Sequence, residues 1–280
     1  MKEIEVGQIV EKVEQACIKA NCILNEDVYE KIKGSMATES STLGKEILQK
    51  LLDNSQYAKE QMIPICQDTG MAVVFAEVGQ EVHIVGGSLE DAINQGVRQG
   101  YENGYLRKSV VKHPVLRVNT NDNTPAVIHY EIVTGDKLRL TICPKGFGSE
   151  NMSALKMLIP ADGEEGIIDF VIETVKKAGS NPCPPIVLGI GIGGTMEKAA
   201  LLAKKALTIP LDEESSDSYS KQLEDKLFED INKLNIGPQG FGGNTTALKV
   251  RVLTYPTHIA GMPVAVNINC HVTRHSEVIF

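Results

Sequence analysis

Three cysteines stand where a thiolate could be held still for chemistry: Cys66 in PICQDTG, Cys183 in NPCPP and Cys270 in NINCHVTR. Each borders a strand-like or loop segment, and none falls on an amphipathic stripe. Backbone restricted by proline suits a ligand whose sulfur must keep constant geometry. The three lie too far apart for ferredoxin-type or zinc-finger spacing, so residue types alone leave cluster ligation and three structural thiols both open. A group able to move protons lies beside Cys66 in the first of these segments. Asp68 could exchange a proton with a substrate hydroxyl or its water, or simply cap its own turn, because Asp-Thr-Gly satisfies loop amides. A lone histidine such as His258 in TYPTHIAG is more often structural. Lys145 and Arg274 could bind anions, but solvated surface charge is the commoner outcome for a basic residue.

The elements that must position these residues are mixed. Ile9, Val10, Val13, Ala16, Cys17 and Ala20 recur at helical spacing, as do Leu43, Ile47, Leu48, Leu51 and Leu52, so the first sixty residues read as helical. Cys17 belongs to that apolar stripe and Cys22 lies just past it; both read as packing residues. MAVVFAEV and EVHIV follow as strands around a Gly-Gln turn, then a helix from Ser88 to about Asn103. AVIHYEIV and KLRLTIC, separated by Thr-Gly-Asp, read as a hairpin. A helix over about 164–178 precedes the strand IVLGI, and the acidic stretch LDEESSDSYSKQLED leads into a surface helix ending near Asn235. ALKVRVLTY and PVAVNIN supply further strands. The expected fold class is mixed α/β: a helical N-terminal region, then two closely packed α/β lobes over approximately 1–160 and 161–280.

A chain of 280 residues with 42% hydrophobic and 23% charged residues is long enough for a substantial core. Its net charge of −8 repels polyanions and argues against nucleic-acid binding, while leaving room for a local cationic pocket. The opening MKEIEVGQIVEKVEQ has no signal-like apolar run, and no stretch approaches the roughly 20 apolar residues needed to cross a bilayer, so a cytoplasmic location is expected. Six scattered cysteines point to metal binding, catalysis or packing before a disulfide framework.

Gly189, Gly191 and Gly194 satisfy G-x-G-x-x-G between a strand and a helix, with Asp212 further on. A nicotinamide-dependent oxidoreductase would use those glycines as a pyrophosphate turn. The bland reading is close helix–strand packing, and the lack of a long βαβ repeat afterwards favours it.

PICQDTG at 64–70, CPP at 183–185, IGGT at 192–195, QGFGGN at 239–244 and the segment from His258 to Cys270 occur in one order across most of the chain. In that order they resemble the class I iron–sulfur fumarate hydratases and the L-tartrate dehydratases. The resemblance implies a [4Fe–4S] cluster on Cys66, Cys183 and Cys270, with one iron open as a Lewis acid; Cys143 has no counterpart. It implies Asp68 and His258 as catalytic residues and Gln67, Arg107, Gly148 and Ser149 as substrate contacts for a small dicarboxylate, fumarate/malate first and tartrate next. One-chain members continue into a further domain that this chain lacks, so a separate β subunit and an α₂β₂ assembly are implied. An iron–sulfur regulatory protein is the non-enzymatic alternative.

Overall fold

The computed structural model describes all 280 residues. In chain order the elements are β1 (Lys2–Glu5), α1 (Val6–Cys22), α2 (Glu26–Thr38), α3 (Thr42–Gln61), β2 (Met71–Gly79), β3 (Val82–Val85), α4 (Leu89–Asn103), β4 (Val127–Val133), β5 (Leu138–Lys145), α5 (Phe147–Glu150), β6 (Ala154–Leu158), α6 (Gly163–Ala178), β7 (Ile186–Gly193), α7 (Met196–Ala206), α8 (Ser218–Asn232), β8 (Ala247–Tyr255), β9 (Met262–Asn269) and β10 (Ser276–Ile279). The fold class is therefore mixed α/β. The chain divides into two compact units, each discontinuous in sequence: residues 1–25, 54–147 and 274–280 form one, and 26–53 and 148–273 the other.

The first unit is built on a four-stranded sheet of order β10-β5-β2-β4, with a separate parallel pair, β1-β3. The apolar spacing of α1 buries Ile9, Val13, Ala16 and Cys17 against Ile93, Val97 and Tyr101 of α4. The two helices approach closely because Gly96 and Gly100 lack side chains there: a Cβ on Gly100 would lie 2.8 Å from that of Cys17. Ser88 caps α4, its hydroxyl accepting from the Asp91 amide at 3.4 Å. The expected hairpin of AVIHYEIV and KLRLTIC does not form. β2 inserts between them, antiparallel to β5 and parallel to β4. Nine residues of MAVVFAEVG, seven of them apolar and five in succession buried, read as a central strand, and a central strand takes both neighbours. β3 likewise leaves β2 and joins β1.

The second unit carries a sheet of order β6-β9-β7-β8, in which only β7 and β8 run parallel. Its core joins Val171 and Val175 of α6, Leu227 and Ile231 of α8, and the inward residues of β7 and β9. Helix α7 lies directly on β7. A Cβ at Gly189 would sit 2.0 Å from the Ala203 carbonyl oxygen, and one at Gly191 2.0 Å from that of Ala199. These glycines thus serve helix–strand packing; β7 and β8 with α7 and α8 between them form a single parallel crossover, and with the other strand pairs of the sheet antiparallel there is no repeated βαβ succession of the dinucleotide kind. No helix is long and apolar enough to cross a membrane.

Replacement of Gly191 by alanine therefore forces α7 off its strand. Overpacking at such a contact should cost about 3 kcal/mol, seen as a lowered thermal midpoint with the far-ultraviolet spectrum retained.

Candidate functional site

In the first unit the segment 65–70 leaves the end of α3 and enters β2 with its backbone held largely by side chains. Asn54 donates to the Ile65 carbonyl at 2.9 Å, and the buried Tyr101 hydroxyl reaches the Thr69 and Gly70 carbonyls at 2.7 and 3.0 Å. Asn123, itself fully buried, donates to the Gly70 carbonyl at 3.1 Å. Burial pushes the Tyr101 phenol far above its ordinary range, which keeps it a neutral donor. The Thr69 hydroxyl accepts from the Arg107 amide at 2.8 Å and donates to its carbonyl at 3.2 Å, which fixes the Arg107 backbone beside the turn. Gln67 and Arg107 are exposed and Asp68 and Cys66 half-buried. The unit thus brings Cys66, Gln67, Asp68 and Arg107 together.

Asp68 does cap its turn. One carboxylate oxygen accepts from the Gly70 amide at 3.0 Å and the other from the Phe147 amide at 2.9 Å. The capping reading of this residue is met, and the two amides fix the orientation of its carboxylate. Lys145 and Arg274 depart from expectation: at 4% and 5% exposure both are buried. Lys145 ends a buried strand in β-pairing with Met71, and the Arg274 guanidinium donates to the Asp68 carbonyl at 2.5 Å. No spacing signal in the sequence separates such a lysine or arginine from a surface one.

In the second unit, sheet register decides what meets. β7 and β9 are antiparallel with Val187 opposite Asn269, so the loop before β7 and the loop after β9 emerge at one end of the sheet. Those loops carry Cys183 and Cys270. His271 joins them, its Nδ1 lying 3.0 Å from the Cys183 carbonyl and 3.2 Å from Gln239 Nε2. Gln239 in turn donates its side-chain amide to the Pro184 carbonyl at 2.8 Å, so the QGFGGN segment belongs to the same end. Asn269 closes the Cys270 loop by donating to the Thr273 hydroxyl at 2.8 Å. Cys183 holds left-handed backbone, φ +52°, and is exposed; Cys270 is half-buried. Gly148 is exposed and Ser149 buried in the short α5, whose Glu150 is anchored by Lys204 at 2.6 Å and Asn267 at 3.0 Å.

His258 is elsewhere in this unit. It sits exposed on the loop from β8 to β9, which crosses the opposite end of β7, where Thr257 donates to the Gly194 carbonyl at 2.9 Å. The eight residues of β9 separate it from Cys270, roughly 25 Å at the ~3.3 Å rise of a strand.

No disulfide joins any of the six cysteines. Cys17 is fully buried and desolvation, with Glu14 adding to it, pushes its thiol up to about 12, a packing residue as expected. Burial also raises Cys22. Cys66, Cys183 and Cys270 instead occupy accessible loops at strand ends, and thiol donors so placed fit an iron–sulfur cluster. Neither unit by itself gathers three metal-ligating side chains; Cys66 belongs to the first and Cys183 and Cys270 to the second.

The sequence matches the family described as fumarate hydratase (Fumerase) over residues 10–279. It is 41% identical over 276 residues to a putative L(+)-tartrate dehydratase subunit alpha of Methanocaldococcus jannaschii, covering 96% of this chain and 94% of that one. It is 31% identical over 282 residues to the L(+)-tartrate dehydratase subunit alpha of Escherichia coli K12, covering 99% and 92%.

Glu39 shows how the glycine segment is held. Its carboxylate accepts from the Ser41, Asn244 and Thr245 amides at 2.8, 3.2 and 2.8 Å. Burial would raise this carboxyl, but the Thr245 side chain and those three amides outweigh it and hold the group below its ordinary value. Its stabilisation is therefore complete above the unfolded carboxyl range and lost as pH falls through the lowered folded value. Glu39→Gln should cost about 2 kcal/mol at neutral pH, and chemical denaturation should show that deficit shrinking in acid.

Proposed function

This chain belongs to the fumarate hydratase (Fumerase) family of hydro-lyases, and on that premise we propose that it is the α subunit of an enzyme that reversibly hydrates fumarate to malate. The family match over nearly the whole chain carries the reading. The pairing of Cys183 with Cys270 at one sheet end supports it. Dehydration of tartrate to oxaloacetate is the second reading, favoured by the names of the two relatives; those names also support a separate β subunit, which we place with this chain in an α₂β₂ assembly.

Cys66, Cys183 and Cys270 would hold a [4Fe–4S] cluster. Three thiolates leave one iron open, and such an iron supplies Lewis acidity toward a carboxylate and hydroxyl. The protein's own part is positioning and proton handling. In hydration, oxygen adds to one alkene carbon and a proton to the other; Asp68, fixed by two amides, takes the proton that the adding water releases, a protonated group that we place on the β subunit gives one to the second carbon, and both transfers run backwards in dehydration. Arg107 and Gln67 present a guanidinium and an amide to the substrate carboxylates, and the Gly148-Ser149 turn adds donors from the second unit. Held at these points, the dicarboxylate reacts in one orientation.

His258 cannot serve the cysteine end of its own unit across the length of β9. We assign it to the reacting centre of a second α chain, which makes the α₂ pairing part of the site. Asp68→Asn and His258→Asn should each abolish turnover, yet assemblies formed from an equal mixture of the two variants should regain about one quarter of wild-type activity by random pairing. Absence of any regain places His258 in cis or outside the chemistry.

Anaerobic loading with iron and sulfide in the presence of the β subunit, followed by parallel fumarate and tartrate assays, tests the activity itself. Cys66→Ser, Cys183→Ser and Cys270→Ser should each lose cluster absorbance and at least about 100-fold in kcat, whereas Cys143→Ser should retain both. Full turnover by the isolated α chain, or nicotinamide binding in place of dicarboxylate binding, would overturn the reading.

A further inference from the structure

Arg274 is the least expected charged side chain in the first unit. It directly precedes β10, and the pairing of Ser276 with Ile142 delivers it to the end of β5. There its guanidinium bridges two segments: Nη2 donates to the Asp68 carbonyl at 2.5 Å and Nε to the Pro144 carbonyl at 3.4 Å. Nη1 is buried and meets no protein partner. A guanidinium buried with one donor unmet is a poor device for stability, since its desolvation is incompletely offset. What it does achieve is geometric. The Asp68 peptide is drawn toward Arg274 on its carbonyl side, while the carboxylate is held by the Gly70 and Phe147 amides.

We propose that Arg274 is a positioning residue that locks the Cys66-Gln67-Asp68 segment, so that the thiol of Cys66 and the carboxylate of Asp68 keep a fixed mutual geometry. For its catalytic consequence this rests on the hydro-lyase reading above; for its structural consequence it does not. Only a planar fork spans carbonyls on two segments at once. A lysine at the same place reaches one of them and leaves the other without its donor. The unmet Nη1 is a further donor available to an ordered water or to an anionic group entering beside the turn.

Two readouts decide the matter. In the full-length α chain without metal, alkylation of each cysteine is followed by mass spectrometry. Arg274→Met should raise the rate at Cys66 about 5-fold by loosening its segment, with Cys183 in the other unit as the unchanged internal standard. In the loaded αβ complex the same variant should lose about 30-fold in kcat with KM within about 3-fold of wild type, and Arg274→Lys should fall between the two. If Arg274→Met fails to fold, Arg274→Lys carries the comparison in both assays. Unchanged Cys66 reactivity in a folded variant, or wild-type kcat in a cluster-loaded one, would sink the proposal. Should the wild-type complex lack hydro-lyase activity, the functional reading fails while thiol mapping still decides Arg274.

Discussion

Backbone carbonyls that leave a sheet and remain buried must find donors, and much of the first unit is organised around that requirement. Between α3 and β2 the chain runs through nine positions, Cys66 and Asp68 among them, that no strand pairs. Tyr101, Asn54, Asn123 and Arg274 come from four different parts of the sequence to meet those carbonyls. Tyr101, Asn123 and Arg274 are buried. The order of the turn is therefore a property of the whole unit: α4 exists where it does in part to place one phenol, and β10 in part to place one guanidinium.

The second unit solves a different problem by register. Two loops distant in sequence are brought to the same edge because β7 and β9 run in opposite directions, and His271 and Gln239 tie what the strands deliver. The same antiparallel geometry sends the connection from β8 to the far edge. One sheet thus separates Cys270 from His258, twelve positions apart in the chain, more widely than Cys183 and Cys270, which are eighty-seven apart.

Much of this was legible in the sequence where pattern is local. The apolar stripe of α1, the strand and helix around GIGIGG, and the packing roles of Cys17 and Cys22 follow from spacing alone. The glycines at 189 and 191 could be weighed correctly because strand–helix packing and pyrophosphate binding make the same local demand and differ only in what surrounds them. Pairing was not legible. KLRLTIC and AVIHYEIV have a turn between them and hairpin-like composition, but which strand each joins depends on how strongly MAVVFAEVG must be covered on both sides. Burial of Lys145 and Arg274 was equally hidden, since a charged residue enters a core through partners that the sequence does not announce. For the site, the candidate residues came from resemblance, whereas the separation of His258 from Cys270 emerges only from strand direction.

The strand at residues 276–279 completes the sheet of a unit that begins at residue 1. During synthesis, the earlier segments of that unit emerge with β5 lacking an edge partner and the Asp68 turn lacking its guanidinium, and they stay so while residues 148–273 of the other unit are translated. Maturation of this polypeptide is thereby ordered in time: the Asp68 turn and the Cys66 thiol beside it acquire their settled surroundings only after the segments that carry Cys183 and Cys270 have been made.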